Sequence, residues 1–109
     1  MHEMAITESV VAAVSERIGP ERVARVVLEI GRLSGVVPDA LRFCFEICAK
    51  GTTLDGAALE IREIAGRGHC AACGADVELD FPAGVCACGA AELAIVAGRE
   101  LRIKEVEVA

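Results

Sequence analysis

The sequence contains no tryptophan and no tyrosine, and only three phenylalanines in 109 residues. So few aromatic side chains leave little on which bases could stack, which argues against nucleic acid as a partner. Basic residues are also in deficit, with 11 Lys and Arg against 17 Asp and Glu for a formal net charge of −6. Phosphate binding depends on clustered Lys and Arg, so the charge balance points the same way. No run of ~18 apolar residues occurs, and no membrane-spanning helix is expected. The first residues lack a basic segment followed by an apolar stretch and a small-residue cleavage site, so no signal peptide is expected and the chain is read as cytoplasmic.

What is present is a globular composition, 54% hydrophobic and 26% charged. A chain of this length is the usual size of one domain, and it buries only about two-thirds of its unfolded surface, so an extra staple would help it fold. Six cysteines are available for that. In a reducing compartment they are metal ligands or small buried hydrophobes rather than disulfide partners, and their spacing decides between the two.

Apolar residues Val10, Val11, Val14 and Ile18 recur at three and four residues and predict an amphipathic helix from Glu3 to Ile18, ended by Gly19-Pro20. From Arg22 to Gly31, Val26, Leu28 and Ile30 share one parity and Arg25 and Glu29 the other, as in a strand covered on one face. A second helix is expected from Pro38 to Lys50, with Pro38 at a first helical position and Leu41, Cys44, Phe45 and Cys48 on one stripe. Leu59 to Ile64 alternates as a second strand, and the C-terminal stretch supplies a third. There Leu101 and Ile103 are odd whereas Val106 and Val108 are even, so a bulge near Lys104-Glu105 is needed if both pairs pack inward. The expected fold is α+β: two helices packed on a three-stranded antiparallel sheet, made of residues 1–65 and 99–109. Residues 66–98 form an insert of Gly, Ala and Cys with little periodicity.

The insert contains Cys70-x2-Cys73 and, twelve residues on, Cys86-x-Cys88. Two thiolate pairs brought together from the ends of a hairpin-length loop suit tetrahedral Zn²⁺, so a zinc-ribbon-like lobe is expected. Four thiolates around one Zn²⁺ would bring the net charge to about −8. Gly74 and Gly89 each follow the second cysteine of a pair, where the chain must turn tightly around the metal. With so few large apolar residues in the insert, its fold is expected to depend on the ion. His69 adjoins the first ligand, but four cysteines already fill a tetrahedron, which favours a supporting or surface role for it. Cys44 and Cys48 lie four apart on the second helix and could share a metal, yet their stripe also carries Leu41 and Phe45, which favours core packing.

At its start the chain reads Met1-His2-Glu3. An α-amine, a backbone amide and an imidazole one residue apart can chelate a single ion in five- and six-membered rings, and planar nitrogen donors suit Ni²⁺ or Cu²⁺. The opening MHEMAITESVV, the central FCFEICAKGTTLDGAALEI, the two-knuckle cysteine insert and the closing GRELRIKEVEV together resemble the HypA/HybF family of hydrogenase nickel-incorporation proteins. The resemblance spans nearly the whole chain. It implies that Met1, His2 and Glu3 bind nickel, and that Cys70, Cys73, Cys86 and Cys88 hold zinc. It further implies that Ni(II) is passed to a hydrogenase large subunit without any catalytic reaction, that a maturation GTPase acts upstream, and that a homodimer is possible. The second knuckle departs from the family's usual C-x-x-C and lacks the proline often found within it. Two other readings compete: a zinc-ribbon module for protein interaction or nucleic acid, and a thiol oxidoreductase using Cys70 and Cys73.

Overall fold

A computed structural model describes residues 2–90 and 93–109. The chain runs α1 (Glu3–Ile18), β1 (Val23–Gly31), α2 (Pro38–Ala49), β2 (Ala58–Ile64), β3 (Gly66–Cys70), β4 (Asp76–Leu79), β5 (Leu93–Ala97) and β6 (Leu101–Val108). Two three-stranded sheets result, ordered β2-β1-β6 and β4-β3-β5. The molecule measures 54 × 20 × 17 Å. Among the described residues no helix is long and apolar enough to cross a membrane.

Helix α1 stops at Gly19, whose φ of 73° is a left-handed conformation and whose N–H closes onto the Ser15 carbonyl. Helix α2 starts from an extended Val37 with Pro38 in its first turn, where a missing N–H costs nothing. Both helices cover one face of the first sheet. Val10, Val11 and Val14 of α1 meet Val26, Leu28 and Ile30 of β1 and Leu41 and Phe45 of α2, with Leu54 closing the cluster. Each of these large side chains contributes about 1.5–3 kcal/mol when fully buried. The other face of β1 carries Arg25, paired with Glu60 and Glu107, and Glu29, paired with Arg102 and Lys104. Val27 shares that parity and is nevertheless buried.

The first sheet corrects one expectation. It is mixed, because β1 and β2 pair in parallel and only β6 runs antiparallel to β1. Helix α2 carries the chain back along the sheet between β1 and β2, so the second strand begins at the same end as the first. The expected bulge in β6 is present: Val27 opposes Glu105 and Leu28 opposes Ile103, which leaves Lys104 as the extra residue. The shift lets Ile103 and Val106 both pack against the core, while Leu101 and Val108 stay exposed.

The second sheet was not legible as strands, and it is wholly antiparallel. Its central strand presents Gly66, Gly68 and Cys70 to the inside. The chain enters this sheet directly after β2 and leaves it at Gly98, and the crossing is tight. A Cβ on Gly31 would lie 1.9 Å from the Gly98 carbonyl oxygen, and one on Gly98 would lie 2.6 Å from the Gly66 Cα. Leu33 packs into this junction, its N–H donating to the Gly98 carbonyl.

Candidate metal centres

Strand β3 delivers Cys70 at its end, and the chain then turns back to β4. The Gly74 N–H donates to the Cys70 carbonyl and the Cys70 N–H to the Ala75 carbonyl. The second turn repeats the pattern, with the Gly89 N–H donating to the Cys86 carbonyl and the Cys86 N–H to the Ala90 carbonyl. Gly74 and Gly89 have φ of 78° and 93°, a conformation that a side chain at either place would resist. The one-residue gap in Cys86-Ala87-Cys88 therefore closes with the same backbone hydrogen bonding as the two-residue gap in Cys70–Cys73.

These two turns bring the Sγ atoms of Cys70, Cys73, Cys86 and Cys88 within 4.8 Å of one another. Cys70 faces Cys88 and Cys73 faces Cys86, each at 3.6 Å. A disulfide needs about 2.05 Å, so these are thiols side by side. A regular tetrahedron with metal–sulfur bonds of about 2.3 Å has edges of about 3.8 Å, close to the spacing found. Cys70 and Cys86 are buried while Cys73 and Cys88 reach the surface.

The electrostatics of the group describe a cage that lacks positive charge. Donation from the backbone N–H of Cys73, helped by that of Ala72 and by neighbouring thiols, lowers the Cys70 thiol to about 7. At Cys73 the Ala75 N–H pulls downward, but hydrogen bonds shared with Cys86, Cys70 and Cys88 outweigh it and push the thiol up to about 12. One proton leaves readily and the next is held, because a second thiolate would sit against the first. A bound dication removes that conflict, so the donor set fits Zn²⁺.

His69 lies outside the sulfur group. Its Nδ1 is 2.9 Å from Asp76 Oδ1, across the β3–β4 ladder where His69 and Asp76 are in register. The same carboxylate accepts from Arg67 at 3.1 Å. The His69 contact, with Arg67 adding to it, holds Asp76 below the ordinary carboxylate range. Of the helical cysteines, Cys48 packs against the core, with its Sγ 3.3 Å from both Thr7 Oγ1 and Met4 Sδ.

The second candidate centre is at the other chain feature singled out above, the start of α1. Met1 lies outside the described residues. His2 is exposed and forms the N-cap, its carbonyl accepting from the Ile6 N–H at 3.1 Å. The first N–H groups of an α-helix have no intrahelical acceptor, so the amides of His2 and Glu3 are not committed to the helix ladder. The imidazole borders an apolar groove of about 470 Å³ lined also by Ile6, Val10, Leu28, Leu101 and Ile103. The Glu3 carboxylate is engaged elsewhere: it accepts from the Val37 N–H at 3.1 Å, and this hydrogen bond is the main cause of its lowered pKa. That tie between the beginnings of α1 and α2 spans 34 residues, and no local sequence signal announces it.

A family model described as "Hydrogenase/urease nickel incorporation, metallochaperone, hypA" matches residues 1–108. Among curated relatives, the hydrogenase maturation factor HypA of a Nostoc species is 54% identical over 108 residues, covering 99% of this chain and 96% of the relative. The protein of the same name from Geobacter metallireducens is 51% identical over 109 residues and covers 99% of each chain. The fold matches that in the solution structure of the Ni metallochaperone HypA from Helicobacter pylori, with a TM-score of 0.67, 24% identity, and coverage of 99% of this chain and 97% of that one. A second solution structure of a HypA protein gives a TM-score of 0.71 at 23% identity, covering 100% and 97%. Matched from end to end by the family model and by relatives at half identity, the chain belongs to the HypA family of nickel-incorporation metallochaperones of hydrogenase maturation.

Proposed function

We propose that this chain takes up Ni²⁺ at the start of α1 and delivers it, in the cytoplasm, to the large subunit of a nickel–iron hydrogenase, with a maturation GTPase as its upstream partner. The donors are the α-amine of Met1, the backbone nitrogen and imidazole of His2, and the backbone nitrogen of Glu3. The observation that carries this reading is the placement of His2: an exposed imidazole on the N-cap, beside amides that the helix leaves without acceptors. The Glu3 carboxylate holds the Val37 N–H, which favours the amide of Glu3 over its side chain as the nickel contact. A site at a chain start can be dismantled by moving a few residues, as release to an acceptor requires.

Residues 66–98 form a separate zinc lobe in this proposal, with Cys70, Cys73, Cys86 and Cys88 as the ligands. Zinc bound there neutralises the thiolates and ties the two turns together. The backbone N–H groups of Ala72, Cys73 and Ala75 that donate to the sulfurs stabilise the thiolate form and fix where it points. Nickel and zinc are separated by donor type, nitrogen at the chain start and sulfur in the lobe.

Nickel titration of the untagged protein, of His2→Ala and of an N-terminally extended version, with zinc measured alongside, tests both sites. Both altered proteins are expected to lose at least about tenfold in nickel affinity, as removal of a ligand from a small chelate does, and to keep one zinc per chain. Equal nickel binding by all three would reject the assigned nickel site. Because the amine and imidazole must be unprotonated, with reference pKa values of about 7.7–8.0 and 6.5, nickel affinity is expected to fall on acidification through that range.

A further inference from the structure

The four thiols of the insert fall into two facing pairs, and both pairs run from one turn to the other. Cys70 Sγ faces Cys88 Sγ and Cys73 Sγ faces Cys86 Sγ, each at 3.6 Å. Each pair also combines a buried sulfur with an exposed one: Cys70 and Cys86 are 0% and 5% exposed, whereas Cys73 and Cys88 reach solvent. A small polar oxidant therefore meets one member of each pair first, and that member has a shielded thiol facing it. The helical cysteine Cys48 is placed differently, with its Sγ against Thr7 Oγ1 and Met4 Sδ.

We propose, resting on the zinc reading of this lobe, that the sulfur cage is also a reaction site for hydrogen peroxide, which converts the facing pairs into disulfides Cys70–Cys88 and Cys73–Cys86 and expels zinc. The exposed thiolate of a pair attacks one peroxide oxygen; an S–O bond forms, the O–O bond breaks and hydroxide leaves, giving a sulfenic acid. The buried thiolate facing it then attacks that sulfur; the S–S bond forms, the S–O bond breaks and a second hydroxide leaves. Two sulfurs have given up one electron each, both peroxide oxygens have been reduced to hydroxide, and zinc has lost two of its four ligands. A second peroxide does the same to the other pair, and the ion leaves with no thiolate to hold it.

Pairing across the turns is the pattern that the chain favours. A bond inside Cys86-Ala87-Cys88 would close a ring over one intervening residue. That turn is already fixed by the Cys86 N–H donating to the Ala90 carbonyl and the Gly89 N–H donating to the Cys86 carbonyl. A redox pair of the Cys-x-x-Cys kind, Cys70 with Cys73, would leave Cys86 and Cys88 with only each other. Cross pairing strands no sulfur. It also links residues 18 and 13 apart in sequence, so the two turns that zinc tied together stay tied after it leaves. The oxidised lobe thus replaces a metal staple with two covalent ones, and a reductant reverses the replacement.

The test treats the full, zinc-loaded chain, kept dilute, with excess hydrogen peroxide in the presence of a chromogenic zinc indicator. Complete loss of the one zinc per chain is expected, with a mass decrease of two hydrogens for each disulfide. Alkylation and proteolytic mapping are expected to recover Cys70 linked to Cys88 and Cys73 linked to Cys86, with Cys48 alkylated as a thiol. A phosphine reductant with added zinc is expected to restore the original mass and metal content. Amide exchange separates the two metal-free states: β3, β4 and β5 are expected to stay protected in the oxidised chain and to lose protection in the chelator-treated reduced chain. A Cys70–Cys73 disulfide, a disulfide between chains, or sulfinic acid at Cys73 or Cys88 as the product would overturn the proposal. Zinc held at the outset and retained in peroxide overturns this proposal alone. A chain that holds no zinc before peroxide is added instead rejects the zinc reading and the expulsion that rests on it, and the mapped disulfides then decide the pairing.

Discussion

Around sheet β2-β1-β6 the chain assembles a core in which Val26, Leu28, Ile30, Leu41 and Leu54 are all at most 1% exposed. Around sheet β4-β3-β5, among the described residues, only Leu79, Cys70 and Cys86 are buried apolar side chains. Both sheets have three strands. One is held by side chains drawn from two helices and three strands, the other by backbone pairing and four thiols. The contrast shows why the sulfur group is more than a binding site attached to a finished fold: without a cation, one leucine and two cysteines must offset the conformational entropy of some thirty residues, at about 1–2 kcal/mol each for the backbone alone.

The largest effect should therefore come from emptying the sulfur cage. Removal of zinc by a chelator, or Cys70→Ser, is expected to abolish amide-exchange protection in β3, β4 and β5 while the protection of α1, β1 and α2 persists. Apparent zinc-binding free energies of about 10–16 kcal/mol in small cysteine sites are large enough to decide whether such a unit folds. A lobe that kept its protected amides after losing its metal would erase the distinction between the two sheets. A smaller effect, opposite in location, should follow Leu41→Ala. That side chain is fully buried between α2 and the first sheet, and its truncation is expected to cost about 2–5 kcal/mol in a denaturant titration. Zinc affinity should not change with it, and a parallel loss of zinc would show that the two halves fold as one.

The same contrast explains what could be read in the sequence. Elements α1, β1, α2, β2 and β6 were visible because their apolar residues recur at helical or strand spacing, and their observed ends fall within one residue of the expected ones, as with Arg22 against Val23 or Lys50 against Ala49. The bulge at Lys104 was visible because Ile103 and Val106 differ in parity. Strand direction was not, since a lone strand's pattern does not encode it, and the parallel β1–β2 pair follows from the path of α2. Strand β3 was hidden by its own packing. Its inward positions must be small, for a Cβ on Gly68 would come within 2.9 Å of Leu79 and 3.1 Å of Leu93, and glycine at alternate positions erases the apolar rhythm of a strand. The cysteine spacing, in contrast, identified all four members of the sulfur group. The Glu3–Val37 tie was not legible, because it depends on distant segments meeting.

The smallest expected effect tests whether the helix-covered core is held by apolar packing alone. Thr7 is the one buried polar side chain among the described residues of that core. Its Oγ1 donates to the Glu3 or Met4 carbonyl, at 3.1 and 3.0 Å, and lies beside Cys48 Sγ. Those carbonyls also accept from the helix ladder one turn on, so removing the hydroxyl leaves neither without a donor. Cys48 retains its contact with Met4 Sδ. Thr7→Val keeps the branched shape, deletes only this local bonding and leaves no buried partner unsatisfied, so it is expected to shift stability by about 1 kcal/mol or less. A loss of several kcal/mol in the same titration would mean that the core depends on a polar link between α1 and α2, and that its difference from the cysteine-held sheet is one of degree.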